Sequence, residues 1–96
     1  MDELTKKEIL SISRKAHHLT EVAYQQNPST IGGAGWADKQ RILLADMALH
    51  LVQTSLRDDE ISTEDLRRNL FSILTISDQL IPGHDLKAVA DDLYFS

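Results

Sequence analysis

ILLADMALHLVQTSL, residues 42–56, is the stretch whose reading decides the fold. Apolar residues stand at Ile42, Ala45, Leu49, Val52 and Leu56, and a second set at Leu44, Met47, Ala48 and Leu51. A helix through this stretch is therefore apolar around most of its circumference, and such a helix is a buried one. The expectation is a central helix in a small bundle or at the seam of a dimer. The strip from Ile42 to Leu56 would receive the helix before it and part of the helix after it. The strip from Leu44 to Leu51 is then in surplus.

Upstream of it, Ser29 to Trp36 reads STIGGAGW, the one clear breaker cluster of the chain. Glycines before a helix suggest a phosphate cradle, since bare amides at a helix start attract anions. The Walker pattern, however, needs Lys and then Ser or Thr after the glycines, and Trp36 and Ala37 follow instead. The segment around Gly32 to Gly35 therefore reads as a flexible connection. Trp36, the only tryptophan, is either a lid on the core or an anchor for a partner. Farther upstream, Thr5 to Glu8 has the T-x-x-E form of a capping box and predicts a helix start. Ile9, Ile12, Ala16, Leu19 and Ala23 then step by threes and fours as a seam, widened by Val22, until Asn27-Pro28 stops the helix.

Downstream, Asp58 to Glu60 form a short acidic turn, and Ser62 with Asp65 caps a third helix carrying Leu66, Leu70, Phe71, Ile73, Leu74, Ile76 and Leu80. Pro82-Gly83 ends it, and Leu86, Val89, Ala90, Leu93 and Tyr94 recur at helical spacing in a short last helix. No stretch alternates as a strand does. The fold class expected is all-α: one domain over residues 1–96, a small bundle of three long helices and one short C-terminal helix, dimeric because the middle helices carry more apolar circumference than a single copy covers.

Composition narrows the function. Ten Lys and Arg against fifteen Asp and Glu give a net charge of -5, which repels a phosphate backbone and argues against direct nucleic-acid binding. With no cysteine, thiolate metal sites, disulfides and cysteine nucleophiles are excluded. The charged start MDELTKKEIL lacks a signal core and no apolar run approaches a membrane span, so a cytoplasmic protein is expected.

Four histidines are the remaining candidates for chemistry. His17 with Glu21 and Asp46 with His50 are each four apart, and antiparallel neighbours would bring the two pairs together. Set against the seams above, all four fall beside or away from the apolar stripes. They read as surface helix pairs, with neither metal nor cofactor expected. His84-Asp85, with a histidine upstream and Asp91 or Asp92 downstream, resembles the H...HD...D order of the metal-dependent phosphohydrolases named for that dyad. His84-Asp85-Leu86-Lys87-Ala88 also resembles the H-x-L-K-G core of histidine phosphotransfer domains, which would make His84 a phosphoryl acceptor. The plainer reading is a helix start with Asp85 in its first turn. No Ser-His-Asp order with a strained turn occurs, and a non-enzymatic protein is expected.

Two further resemblances concern regulation. From Leu44 on, LADMALHLVQTSL, the capped start ISTEDL and then LFSILTISDQL with Ser77-Asp78 resemble the small biofilm and acid-resistance regulators of the YmgB/AriR family. That likeness implies a dimeric helical connector acting on a response regulator. The long first helix, the glycine loop and QRILLADMALHLVQTSL, with Arg41, Ala45, His50 and Leu56 at matching positions, are similar to the TraM quorum-sensing anti-activators. This second likeness implies a helical protein that binds a LuxR-type transcription factor.

The expected function is a protein–protein interaction module that modulates a bacterial transcription regulator and forms a homodimer. Its contact candidates are Leu43, Leu44, Met47 and Leu51, with Trp36 and Tyr94 as aromatic anchors. The rivals are a phosphotransfer bundle using His84 and a monomeric structural or immunity-type bundle that covers both faces of residues 42–56 itself.

Overall fold

The computed structural model describes residues 1–95 and is all-helical over them, with α1 Glu3–Gln26, α2 Trp36–Leu56, α3 Thr63–Leu80 and α4 Leu86–Phe95. The boundaries follow local chemistry. The carboxylate of Asp2 accepts the backbone N–H of Thr5 at 2.8 Å and its hydroxyl at 3.0 Å, so α1 begins two residues before the capping box predicted at Thr5, with Asp2 as its cap. These hydrogen bonds hold the Asp2 carboxyl below its ordinary pKa. Asn27 ends α1, as the following proline requires. Ser62 Oγ accepts the Asp65 N–H at 3.2 Å and starts α3, as read from the sequence.

Two junctions differ from expectation. The Ser29–Gly35 segment is a built turn with its own hydrogen bonds. Asn27 Oδ1 accepts the Ser29 N–H at 3.0 Å, Asn27 Nδ2 donates to the Gly35 carbonyl at 3.2 Å, and Lys39 Nζ donates to the Ser29 carbonyl at 3.3 Å. Gly35 lies so close to Ser29 that any Cβ there would collide with the serine side chain. Trp36 is thus the first residue of α2, half-buried, not a residue of a mobile loop. At the other end, Asp85 lies outside α4 with φ 56°, a left-handed conformation that asparagine and aspartate tolerate better than most residues. The first turn of α4 is served instead by Asp78 of α3, whose Oδ1 accepts the Lys87 N–H at 3.3 Å.

The helices pack antiparallel and only in chain order: α1 on α2, α2 on α3, α3 on α4. Among the described residues the bundle is therefore an open one, in which α1 does not reach α3 or α4, and the molecule is 17 Å across in its shortest dimension. The radius of gyration is 14.9 Å, against about 12.5 Å for a compact chain of this length. The accessible surface is 6633 Å², against about 5,500 Å² for a compact monomer of this mass.

A single row of helices buries little. Among the described residues only Leu10, Ile76 and Ala90 of the apolar ones are buried, and four polar residues are buried with them: Ser13, Gln40, Asp46 and Thr54. The central helix therefore does not bury the strip assigned to it. Ile42, Leu49, Val52 and Leu56 are half-buried and Ala45 is exposed, while Gln40, Asp46 and Thr54 take the covered positions. In α1 the face on α2 is Leu10, Ser13, His17, Thr20 and Tyr24. The apolar stripe Ile9–Ala23 stands one residue, about 100°, around the helix from that face, which leaves Ile12 and Leu19 exposed.

Candidate functional site

Two features stand out, an uncovered apolar face and a polar cluster in the α1–α2 seam. The apolar face follows from the rotation of α1. Leu19 and Ala23 of α1 meet Ile42 and Ala45 of α2 around an open groove of about 420 Å³ that Thr20, Asp38 and Arg41 also line, and Leu19 is 68% exposed. Ile12 and Ala16 extend the stripe along α1, and Leu49 and Val52 extend it along α2 by helical spacing. These are positions that the sequence assigns to an internal seam. The signal that marks them as surface is their offset from the polar residues that actually join the helices.

The residues expected to bind a partner are more dispersed. Leu43, Leu44, Met47 and Leu51 are all half-buried. Met47 lies with His50, Thr54 and Asn69 in a cleft of about 290 Å³ between α2 and α3. Tyr94 is exposed and stacks on Phe71, ring centroids 4.8 Å apart, near Glu64, Arg67 and Arg68 of α3. Trp36 opens α2, which does not touch α4, so the two aromatic side chains belong to no common patch. His84 is exposed in the turn before α4 and is not carried on a helix.

The Met47 cleft has a charged rim that neutralises itself. Arg57 reaches Asp65 at 3.0 Å and Asp58 at 3.3 Å, and these carboxylates raise its pKa above the ordinary guanidinium value, the bond to Asp58 first. Arg68 is held by Glu64 at 2.9 Å. Exposed pairs of this kind contribute little to stability, but they leave no free cation for an anionic ligand there.

In the α1–α2 seam, His17 and Glu21 are not a separate surface pair from Asp46 and His50. The antiparallel register brings the two pairs into one cluster. His17 Nε2 lies 2.7 Å from His50 Nε2, 3.2 Å from Asp46 Oδ1 and 3.3 Å from Glu21 Oε1. His50 Nε2 lies 3.5 Å from Asp46 Oδ2, and the two rings meet edge to face with centroids 4.2 Å apart. The Thr20 hydroxyl lies 2.7 Å from Asp46 Oδ1 and 2.9 Å from the His17 carbonyl, and its one hydrogen serves the shorter contact or is shared between them. Asp46 is buried and the His17 side chain is 17% exposed, while His50 and Glu21 are about half exposed and open the cluster to solvent. Both i, i+4 pairs are visible in the sequence; they sit inside because polar residues, and not the apolar stripe, form the contact face of α1. No protein-family model, no curated protein and no solved structure matches the chain.

Proposed function

We propose that the chain is a non-enzymatic interaction module that pairs with a second copy of itself through the α1–α2 apolar face and, as a dimer, grips a bacterial transcription regulator. The observation that carries the first half is the uncovered surface. The chain exposes 6633 Å², roughly 1,100 Å² more than a compact monomer of its mass. A stable protein interface removes about 800 Å² from each partner, so one such contact accounts for most of the excess. The occupant proposed is a second copy, because a two-fold contact sets the same apolar strip of both chains against itself. The regulatory half rests on the likeness to the YmgB/AriR and TraM families, both of which work by gripping a regulator.

Light scattering over a micromolar-to-millimolar series tests the pairing. The expected mass is twice that of the chain, and Leu19→Glu combined with Ala45→Glu should return it to that of one chain with the helical circular dichroism unchanged, since both side chains are exposed in the single copy. A wild-type mass that stays monomeric throughout ends the dimer proposal. Capture of a LuxR-type factor or a response regulator, followed by a DNA-binding assay of the captured protein, tests the second half; DNA binding indifferent to the chain rules it out.

A further inference from the structure

We propose that His17, Asp46 and His50, with Glu21, form a binding site for a divalent transition-metal ion of the zinc type, clamping α1 to α2. Nε2 of both histidines and a carboxylate oxygen of Asp46 lie within 4.8 Å of one another. The closest approaches around the point where they converge are 2.7, 3.2, 3.3 and 3.5 Å. Ligands bound at zinc-like lengths to one tetrahedral ion stand about 3.3 Å apart, and the three approaches among His17, His50 and Asp46 lie around that edge, while Glu21 stands beside His17. Two imidazoles and one or two carboxylates are also a donor set that zinc and its neighbours in the first transition row accept.

Hydrogen bonding alone serves the arrangement poorly. Each Nε2 carries at most one hydrogen, so at most two hydrogens must serve four close contacts. If both nitrogens carry one, the hydrogens face each other across the 2.7 Å gap. If only one does, that hydrogen can be donated to the other ring, and the carboxylate contacts of both rings are left without one. With neutral imidazoles the cluster has a charge of -2 from Asp46 and Glu21, and Asp46 is buried. A divalent cation among the four groups cancels that charge, and partly buried charge is tolerated only when paired.

The surroundings fit a metal centre as well. Thr20 holds one Asp46 oxygen at 2.7 Å, as groups behind a ligating carboxylate commonly do. His50 and Glu21, the more exposed members, give the ion a way in and leave room for a water ligand. His17 and Glu21 come from α1 while Asp46 and His50 come from α2, so the ion would bind the folded pair of helices and not the unfolded chain. Metal binding should therefore raise thermal stability.

The test uses the untagged full chain with Zn²⁺ and Co²⁺ as probes. Calorimetry should show one ion per chain. The Co²⁺ complex should have the intense visible bands of a four-coordinate ion, and Zn²⁺ should raise the melting temperature. His50→Gln and His17→Gln should each weaken uptake at least ten-fold, and Thr20→Val roughly ten-fold through loss of carboxylate orientation. His18→Gln and His84→Gln, exposed and outside the cluster, should bind as the wild type does. Should His17→Gln unfold, His50→Gln decides, because that ring is 44% exposed and its removal leaves the α1–α2 seam closed. The proposal is overturned if no saturable uptake occurs at neutral pH, if Co²⁺ is six-coordinate, if His50→Gln binds like the wild type, or if uptake falls with His18→Gln or His84→Gln instead.

Discussion

The two ends of the helix row are joined by opposite chemistry. At the α3–α4 seam, Ala90 is fully buried. Phe71 lies against Tyr94 and Phe95, with centroids 4.8 and 5.9 Å away, and the Lys87 ammonium sits 4.2 Å from the Phe71 centroid. At the α1–α2 seam, the buried or nearly buried groups are Ser13, His17 and Asp46, with Leu10 as an apolar member. Apolar burial is non-directional and stabilises in proportion to area. A buried polar network at best balances its own desolvation. The α3–α4 seam is therefore joined by apolar and aromatic contact, and the α1–α2 seam by polar contact.

That contrast can be broken in several ways. The largest effect expected is at Ile76: Ile76→Ala should lower unfolding stability by about 2–4 kcal/mol, read from the denaturant midpoint, whether or not zinc is present. The polar seam predicts the reverse sign for a drastic change. Replacing His17 and Asp46 together by leucine removes both partners of a costly pair, so stability should stay within about 1 kcal/mol of the wild type or rise, while metal uptake is lost. A double variant that fell as far as Ile76→Ala would show the polar seam to be structural after all. Asp46→Ala alone should be worse than the double change, by about 1–3 kcal/mol, because it leaves His17 without its partner in a nearly buried place.

Smaller effects sharpen the picture at helix ends. Ser62→Ala should cost about 1 kcal/mol through the lost cap of α3. At Asp2 the carboxyl is held below its ordinary pKa, so its contribution is complete above the usual carboxylate range and is lost as pH falls through the lowered folded-state value. Asp2→Ala should accordingly fray the first turn of α1 at neutral pH. The difference from wild type in Thr5 amide exchange should vanish in acid.

Much of the architecture was legible in the sequence because it depends on near neighbours. The stop at Asn27-Pro28, the Ser62 cap and the break at Pro82-Gly83 are all local, and each falls where it was read. Asp2 was passed over because the T-x-x-E pattern at Thr5 offered a fuller signature. The turn at Ser29–Gly35 was read as slack because its order comes from Asn27 and Lys39, side chains outside the glycine run. The facing of the helices was the least legible feature. Periodicity locates the apolar residues of a helix, but which neighbour covers them depends on whether the row closes. In a closed bundle Leu19 and Ala45 would be inside; in this open row they lie beside the contact, and His17 and Asp46 take the inner place.

The Asn27–Gly35 clasp sets the phase between two helices. A slip of one residue in α2 would carry His50 along by about 1.5 Å and turn it by about 100°, enough to point its ring away from His17. The convergence of four donor groups at mid-helix is thus timed by an amide and a carbonyl at the far end of the hairpin. A mutation at Asn27 would detune the cluster without touching any residue in it.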